Sequence, residues 1–226
     1  MTIVWSCPLD VDEYVARGRR IETPRLACPR CSGPTQRWHG YLRHLRDDRD
    51  RLIWIPRLRC TSCGRTQALL PSFVLPRRWD TVGAVGRAAE LAAAGQGHRR
   101  IAAALGRPET TVRGWLRRLR SLAPTLTTTL LARAVALGWS GFELPVAGLP
   151  RLCAAVRALA ERWPGGRPAD PWYVAGVVTG GRLLATNTGA PLEAGAGSGL
   201  MAVTATPGGT PWPTTPPRGS PSGAIT

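Results

Sequence analysis

Apolar residues recur at a helical spacing over three consecutive stretches in the middle of the chain. The first, 81–94, is rich in alanine and is followed by two glycines, which favour an end to the helix. The second, 98–105, is short and stops at Gly106. The third begins at Pro108, a residue that the first turn of a helix tolerates, and extends over 108–122. The pattern therefore predicts three helices in close succession.

The third of these helices has an apolar side and a basic side. A repeat of 3.6 residues brings its apolar residues together, so they are predicted to be buried against the two preceding helices. Its arginines fall on the other side. The residues predicted to be buried are Val112, Trp115, Leu116 and Leu119, and those predicted to be exposed are Arg113, Arg117, Arg118 and Arg120.

A β-hairpin is predicted nearer the start of the chain. Its strands run over about 35–46 and 51–59, and the polar run 47–50 forms the turn. Before the hairpin, 9–19 is predicted to be a short helix. The apolar side of that helix would contain Val11, Tyr14 and Val15.

The second half of the chain has weaker patterns. Helices are predicted at 126–137, 149–163 and 172–185, the last of them weakened by two glycines. They form either a small helical appendage or a surface for a partner protein. The stretch 204–226 is mostly Pro, Gly, Thr and Ser. Such a composition buries too little apolar surface to offset the entropy of ordering, so this tail is predicted to be disordered.

Four cysteines flank the predicted hairpin in two matched pairs. Two residues separate the members of each pair, which lets one tight turn aim both sulfurs at the same point. Two such turns supply the tetrahedral four-sulfur shell that a structural Zn²⁺ prefers, and they predict a zinc ribbon. The alternatives are two disulfides or four unrelated thiols. The pairs are Cys28 with Cys31, and Cys60 with Cys63.

Several other residues near this quartet have two interpretations. His39 can replace a cysteine as a ligand, but four cysteines already fill the shell, so packing or hydrogen-bonding near the metal is predicted. Cys7 and Cys153 are interpreted as reduced, partly buried thiols. Trp38 and Trp54 on the hairpin either stack on nucleic-acid bases or cover the face of the ribbon.

The charge of the chain is strongly positive and unevenly distributed. The chain contains 30 Arg, no Lys and 14 acidic residues, which gives a formal net charge of +16. Residues 1–123 contain 23 of the arginines against 10 acidic residues. Codon bias accounts for the use of Arg in place of Lys, but it does not account for this asymmetry. A basic excess in one half of a chain indicates that this half meets phosphate, because Arg pairs well with phosphates and guanine edges.

Two short helices joined by a glycine-containing turn, the second rich in arginine, are typical of a DNA-binding helix-turn-helix. The alternative is a plain helical hairpin with a solvated basic face. In a helix-turn-helix, the first turns of the second helix lie nearest the base edges, whereas the first helix and the turn lie against the backbone. The residues predicted nearest the bases are Glu109, Thr110, Arg113 and Arg117, with Thr111 on either bases or phosphate, and Arg99, Arg100 and Arg107 are predicted near phosphates.

These motifs carry a family resemblance. The two cysteine motifs, with 38–41 between them, resemble the amino-terminal zinc ribbon of insertion-sequence transposases, and 69–76 continues that pattern. The segment 97–116 resembles their helix-turn-helix. As a whole, 7–123 is most similar to a family of short, functionally uncharacterised bacterial proteins with a zinc ribbon and a helix-turn-helix. The resemblance implies DNA binding linked to mobile elements, and it supplies no demonstrated activity.

The sequence departs from that of a complete transposase. Such an enzyme needs a catalytic domain in which three carboxylates hold two metal ions, but 124–226 contains only four acidic residues. We therefore predict a non-catalytic protein that binds double-stranded DNA, acts in transposition as an accessory factor or regulator, and is cytoplasmic and nucleoid-associated. The alternatives are a truncated transposase and an accessory subunit that recruits a recombinase or transposase.

The predicted fold class is α+β. An N-terminal segment and a small four-cysteine zinc ribbon, built on the β-hairpin, would occupy 1–76. A mainly α-helical helix-turn-helix domain would follow at 77–123. A small helical region at 124–203 and the disordered tail would complete the chain.

Overall fold

The structure, a computed structural model, describes residues 2–141, 144–164, 166, 168 and 170–184. These residues form a mixed α+β fold of four strands and six α-helices. The tail predicted to be disordered lies outside the described residues. The elements are β1 (Thr2–Trp5), α1 (Val11–Arg17), β2 (Thr35–Arg46), β3 (Asp50–Cys60), β4 (Thr66–Pro71), α2 (Val82–Ala93), α3 (His98–Leu105), α4 (Glu109–Ala136), α5 (Gly148–Glu161) and α6 (Trp172–Val178).

The strands form one sheet in the order β1-β4-β3-β2. β2 and β3 pair antiparallel, which confirms the predicted hairpin. Its turn is shorter than predicted, because Asp50 already belongs to β3 and pairs with Arg46. The sequence pattern predicts neither of the other two strands. β4 pairs antiparallel with β3, and β1 pairs parallel with β4, so the hairpin is one edge of a larger sheet.

An apolar cluster forms between the sheet, α1 and the segment that follows β4. The sheet contributes Ile53 and Ile55 to this cluster, and both side chains are fully buried. Tyr14 of α1 meets Phe73 edge to face, with 5.2 Å between the ring centroids. The Tyr14 hydroxyl also donates to the Trp54 carbonyl oxygen (2.8 Å), so α1 is fixed to β3 by a polar contact as well as by packing.

α1 is shorter than the predicted 9–19. Asp10 caps its start by accepting from the Glu13 amide (2.8 Å), and the Glu13 side chain accepts from the Asp10 amide, which completes a capping box. Gly18 follows the last residue of the helix and has a φ of 51°. Two of the three residues predicted on its apolar side, Val11 and Tyr14, are buried.

The next three helices start within one residue of their predicted starts. Thr81 caps α2, and its hydroxyl oxygen accepts from the Ala84 amide (3.0 Å). α3 ends at Gly106, whose φ of 60° lies in the left-handed region that glycine adopts without strain. Only 106–108 connect α3 to α4. The side of α4 predicted to be apolar is buried, and its residues are Val112, Trp115, Leu116 and Leu119.

α4 is longer than predicted. The sequence predicts two helices separated by Pro124, because proline removes a backbone donor and costs about 3 kcal/mol inside a helix. This prediction is wrong, since α4 continues through Pro124 and has 28 residues. Leu126 and Leu130 are fully buried beyond the proline, and burying each contributes about 1.5–3 kcal/mol, which offsets that cost. α4 therefore crosses residue 123, where a domain boundary was predicted.

α5 and α6 pack into the same apolar core as α2, α3 and α4. α6 is shorter than the predicted 172–185, because Gly180 and Gly181 follow its end with φ values of 57° and 77°. Ala185 lies outside the described residues. These two helices contribute apolar surface to the folding of the helical core. On α5, the residues predicted to share one side, Leu152, Val156, Leu159 and Ala160, are all buried.

Gly86 on α2 lies against the ring of Trp172 on α6. A Cβ atom added at Gly86 would lie 2.1 Å from the Trp172 ring, and the indole Nε1 donates to Glu90 (3.2 Å), which limits its movement. We therefore expect Gly86→Ala to lower the free energy of unfolding by about 1–3 kcal/mol, although alanine favours helices.

Gly114→Ala in α4 is the matched control for Gly86→Ala. Open space surrounds the added Cβ there, so this change is expected to raise the free energy of unfolding by up to about 1 kcal/mol. Urea unfolding of the two variants measures both effects. Shifts of the same sign and size would contradict the packing of α2 against α6.

Candidate metal centre and nucleic-acid interface

Two tight turns of the same kind hold the two cysteine pairs. In the first, the Cys28 amide donates to the Gly33 carbonyl oxygen (2.8 Å), and the Ser32 amide donates to the Cys28 carbonyl oxygen (2.8 Å). The second turn repeats the pattern, with the Cys60 amide donating to the Arg65 carbonyl oxygen (2.9 Å). The two turns are therefore matched in structure as they are in sequence.

The two turns lie directly against each other. The amide and the hydroxyl of Thr61 both donate to the Pro34 carbonyl oxygen, at 3.0 and 3.1 Å. A Cβ atom added at Gly33 would lie 2.4 Å from Ser62 Oγ. The absence of a side chain at Gly33 therefore allows the approach that brings the cysteine pairs together.

The four cysteine sulfurs converge on one point. The sulfurs of Cys28 and Cys63 are 3.7 Å apart, and all four lie within 4.8 Å of one another. The sulfurs of Cys31 and Cys60 are 3.5 Å apart. Four sulfurs arranged as a tetrahedron with metal bonds of about 2.3 Å lie about 3.8 Å from one another. The cluster can therefore hold a metal ion, and its cysteines are free thiols and not two disulfides.

Burial differs within the cluster. Cys28 and Cys60 are buried, whereas Cys31 and Cys63 lie at the surface. The buried side chain of Gln67, from β4, donates through Nε2 to the Cys28 sulfur (3.5 Å). Gln67 thus helps to orient the Cys28 sulfur.

Backbone amides favour thiolates in part of this cluster. Two amides that follow Cys28 in the chain lower the pKa of its thiol to about 6. The pKa of Cys60 is also lowered, chiefly by the Cys63 amide. For Cys31, the Gly33 amide lowers the pKa, but hydrogen bonds with the other sulfurs outweigh it and raise the pKa to about 12. Complete deprotonation of four sulfurs at this distance therefore needs a bound cation.

The other two cysteines lie outside the cluster. Burial raises the pKa of the Cys7 thiol to about 12 and that of Cys153 to about 11, so both are neutral thiols in apolar surroundings. His39 is also outside the cluster, and its ring packs against Trp38 with 4.8 Å between centroids. This contact agrees with the packing role predicted for His39.

Arginines cover the two tryptophans of the hairpin. The guanidinium carbon of Arg59 lies 4.7 Å from the ring centroid of Trp38, and that of Arg19 lies 4.7 Å from Trp54. Both are cation–π contacts. They favour a structural role for these tryptophans, because a ring face that stacks on a guanidinium is not open to a nucleic-acid base.

The first turns of α4 form an exposed surface. Glu109, Thr110, Arg113 and Arg117 are all exposed, and Thr111 is half-buried. Neither arginine takes part in an ion pair with any residue that the structure describes. The structure therefore places the residues predicted nearest the bases on one accessible side of one helix, opposite the buried side.

Arg99 and Arg100 are exposed on α3. Arg99 pairs with Glu109 across the turn (3.5 Å), and both side chains remain largely in solvent. An exposed pair of this kind contributes little to stability. It does, however, place a guanidinium and a carboxylate together at the start of α4.

Arg107 differs from the other predicted phosphate contacts. Its side chain is only 5% exposed and donates to the Asp80 carboxylate (2.8 Å). It also donates to the carbonyl oxygens of Leu105 (3.0 Å) and Asp47. Because its guanidinium is bound within the protein, Arg107 has a structural role in place of the phosphate contact predicted for it.

Asp80 is an important residue that the sequence pattern does not predict. Its carboxylate is 9% exposed and accepts from both Arg107 and Arg46, the latter at 3.0 Å. Arg46 ends β2, so Asp80 connects the tip of the hairpin to the turn between α3 and α4. The only signal in the sequence is a single acidic residue before the helix cap Thr81, and its two partners are distant in the chain.

Part of the chain is similar to one family of known proteins. Residues 20–115 match a family described as a domain of unknown function (DUF6431), a segment that includes the four cysteines, α2, α3 and the start of α4. No curated protein and no solved structure matches the chain. The resemblance to transposases therefore stays a prediction. Among the described helices, none combines the length and the apolar character needed to cross a membrane.

Proposed function

We propose that this protein binds duplex DNA through a helix-turn-helix formed by α3 and α4, and that its four cysteines hold a structural Zn²⁺. One observation carries the DNA part of the proposal. α4 follows a three-residue turn and exposes polar and basic residues in its first turns while it buries the opposite side. A helix that enters the major groove needs this division, because one side meets base edges while the other rests on supporting helices.

Zinc is the metal that the donor set favours. Four sulfurs in a tetrahedral arrangement suit Zn²⁺ or an iron centre, and Zn²⁺ is the usual choice where two tight turns supply two cysteines each. Four protein ligands leave no open coordination position. The metal would therefore stabilise the two turns and take no part in a reaction.

The proposed DNA contacts follow the exposure of each side chain. Arg99 and Arg100 are assigned to phosphates, because they are exposed on the helix that precedes the turn. Arg107 is left out, because its guanidinium is used inside the protein. The residues assigned to base edges are Glu109, Thr110, Arg113 and Arg117, and Thr111 is assigned to either bases or phosphate.

The proposal is for a binding protein without a catalytic step, and its role in transposition rests on the sequence resemblance alone. A truncated transposase and a recombinase-recruiting subunit are the alternatives. A recruiting role would need a free surface on the C-terminal helices. The packing of α5 and α6 into the helical core supports a structural role for their apolar sides.

Arg113 is expected to read sequence. Its guanidinium can donate two parallel hydrogen bonds to a guanine edge. Arg113→Ala should therefore weaken binding to the preferred duplex by about 1–3 kcal/mol and have a smaller effect on random duplex. Fluorescence anisotropy with a labelled duplex enriched from a random pool, and with the unselected pool, measures both affinities.

Two other arginines serve as controls for Arg113→Ala. Arg100→Ala removes a proposed phosphate contact, so it should weaken binding to both duplexes alike. Arg162→Ala removes an exposed arginine after α5 and should change neither affinity. Equal losses on both duplexes for Arg113→Ala would show that this helix does not read sequence, and no binding by the unmodified protein would refute DNA binding itself.

A further inference from the structure

A short basic and aromatic loop lies between β4 and α2, and it consists of Arg77, Arg78 and Trp79. We call it the Arg77–Trp79 loop. Its indole is 59% exposed, although the ring lies 5.4 Å from that of His44. Together with Tyr41 and Arg43, the loop borders an open depression of about 380 Å³. Trp79 and Tyr41, both exposed, border the same depression, and two exposed aromatic side chains beside arginines indicate a binding surface.

The loop is held firmly in place. Val74 and Thr81 pair across its base as a β-bridge, and the segment between them closes tightly. The guanidinium of Arg43 fills the inside of the loop and donates to the carbonyl oxygens of Leu75 (2.6 Å) and Arg78 (2.5 Å). A ligand would therefore meet a surface that is already formed, so little ordering accompanies binding.

Arg77 has an unusual backbone conformation. Its φ is 60°, in the left-handed region that residues with a side chain adopt rarely. The residue is exposed, and its side chain makes no ion pair with any residue that the structure describes. Strain of this kind is concentrated at functional sites, because selection for binding can maintain it.

The loop is joined to the start of α4. Trp79 precedes Asp80, and Asp80 binds Arg107, which lies two residues before Glu109. Three backbone steps of about 3.8 Å and the two side chains of the Asp80–Arg107 ion pair connect Trp79 to Glu109, which keeps their Cα atoms within about 22 Å. One turn of duplex DNA spans about 34 Å. The loop therefore lies within one duplex turn of the proposed reading helix.

The surroundings of the loop are positively charged. Burial, followed by the nearby charge of Arg118 on α4, lowers the pKa of Arg78. Arg43 adds a third guanidinium from β2. Asp80 is the acidic residue next to the loop, and its carboxylate is already shared by two arginines. A polyanion complements this surface better than a protein of mixed charge does.

We propose that the Arg77–Trp79 loop binds the sugar–phosphate backbone of duplex DNA beside the base pairs contacted by α4. Arg77 donates to a phosphate, and the Trp79 indole packs against the neighbouring sugar. The inference rests on the proposed DNA binding and adds a second contact to it. Duplex DNA is the favoured occupant, because the surface around the loop is positively charged and the loop is joined to the start of α4 through Asp80 and Arg107.

The test measures how the contribution of the loop to binding affinity depends on the length of the DNA. Anisotropy titrations use the enriched duplex at full length and a version trimmed to the base pairs protected by α4. Arg77→Ala should weaken binding to the long duplex by about 3–10-fold and lower the slope of log affinity against log salt by about 0.9, as loss of one phosphate contact does. On the trimmed duplex it should have no effect, whereas Arg113→Ala should weaken binding to both.

Further variants separate binding from folding. Arg77→Gly removes the same charge and relaxes the left-handed backbone, so it should lose the same affinity with no loss of thermal stability. Arg77→Lys should keep most of the salt slope. Trp79→Ala should weaken binding to the long duplex only, and its melting temperature should match that of the unmodified protein because the indole is exposed.

Each outcome decides the proposal. Loss of affinity for Arg113→Ala, with none for Arg77→Ala or Trp79→Ala on the long duplex, would overturn the loop contact and leave the proposed function intact. If Arg77→Ala and Trp79→Ala weakened binding to single-stranded DNA of the same sequence but did not change binding to duplex, the loop would be assigned to unpaired bases and the duplex contact would be overturned. No binding of any duplex by the unmodified protein would overturn both proposals.

Discussion

Removal of the metal is expected to unfold the end of the hairpin that holds the cysteines. Cys60→Ser, or treatment with a chelator, should release the metal and raise amide hydrogen exchange through the two turns and the adjoining ends of β2 and β3. Structural zinc supplies about 10–16 kcal/mol of apparent binding free energy in small zinc peptides, so the local effect should be large. Hydrogen-exchange mass spectrometry, with elemental analysis for zinc, measures it.

The same experiment should show a gradient along the hairpin. The opposite end, about 35 Å away by strand geometry, is held by the contacts of Asp80 and Arg107 and should keep its protection. Cys7→Ala is the matched control, because Cys7 is a buried thiol outside the cluster and its loss should leave the metal in place. Protein that carries no zinc when purified under reducing conditions would refute the metal assignment.

Asp80→Ala is expected to be strongly destabilising. It leaves the guanidinium of Arg107, 5% exposed, without its carboxylate. Breaking a buried ion pair by removing one partner costs about 3–5 kcal/mol, because an uncompensated charge stays buried. Urea unfolding should show this loss, and Asp12→Ala, which removes a carboxylate exposed to 68%, should show a far smaller one.

A double variant tests the reason for that loss. Asp80→Ala combined with Arg107→Met removes the buried charge together with its partner, so it should recover part of the stability that Asp80→Ala loses. If the two changes simply add, the buried charge is not the cause. Equal effects of Asp80→Ala and Asp12→Ala would show that the hairpin tip is not anchored in this way.

Local signals explain which parts of this fold the sequence could predict. α3 matches its predicted bounds, because Gly106 in its left-handed conformation ends the helix whatever surrounds it. The hairpin follows in the same way from its polar turn and the cysteines beside it. The convergence of the four sulfurs is also local in origin, since each pair is set by its own tight turn.

The parts that were missed depend on distant partners. β1 becomes a strand only because β4, more than sixty residues later, offers it an edge. Pro124 breaks no helix, because Leu126 and Leu130 beyond it are buried in the helical core to which α5 contributes. Arg107 carries the same charge as its exposed neighbours, and only the position of Asp80 shows that it serves the fold and not a ligand.

The continuity of α4 has a consequence for how this chain can be divided or recombined. A fragment ending at residue 123 would sever α4 at its middle and would lack α5 and α6, so the apolar core that these helices complete would be exposed. Such a fragment should aggregate when expressed, even though it retains most of the basic residues. Exchange of modules between related genes is equally constrained, because a crossover within 109–136 joins two halves of one helix whose partners evolved apart.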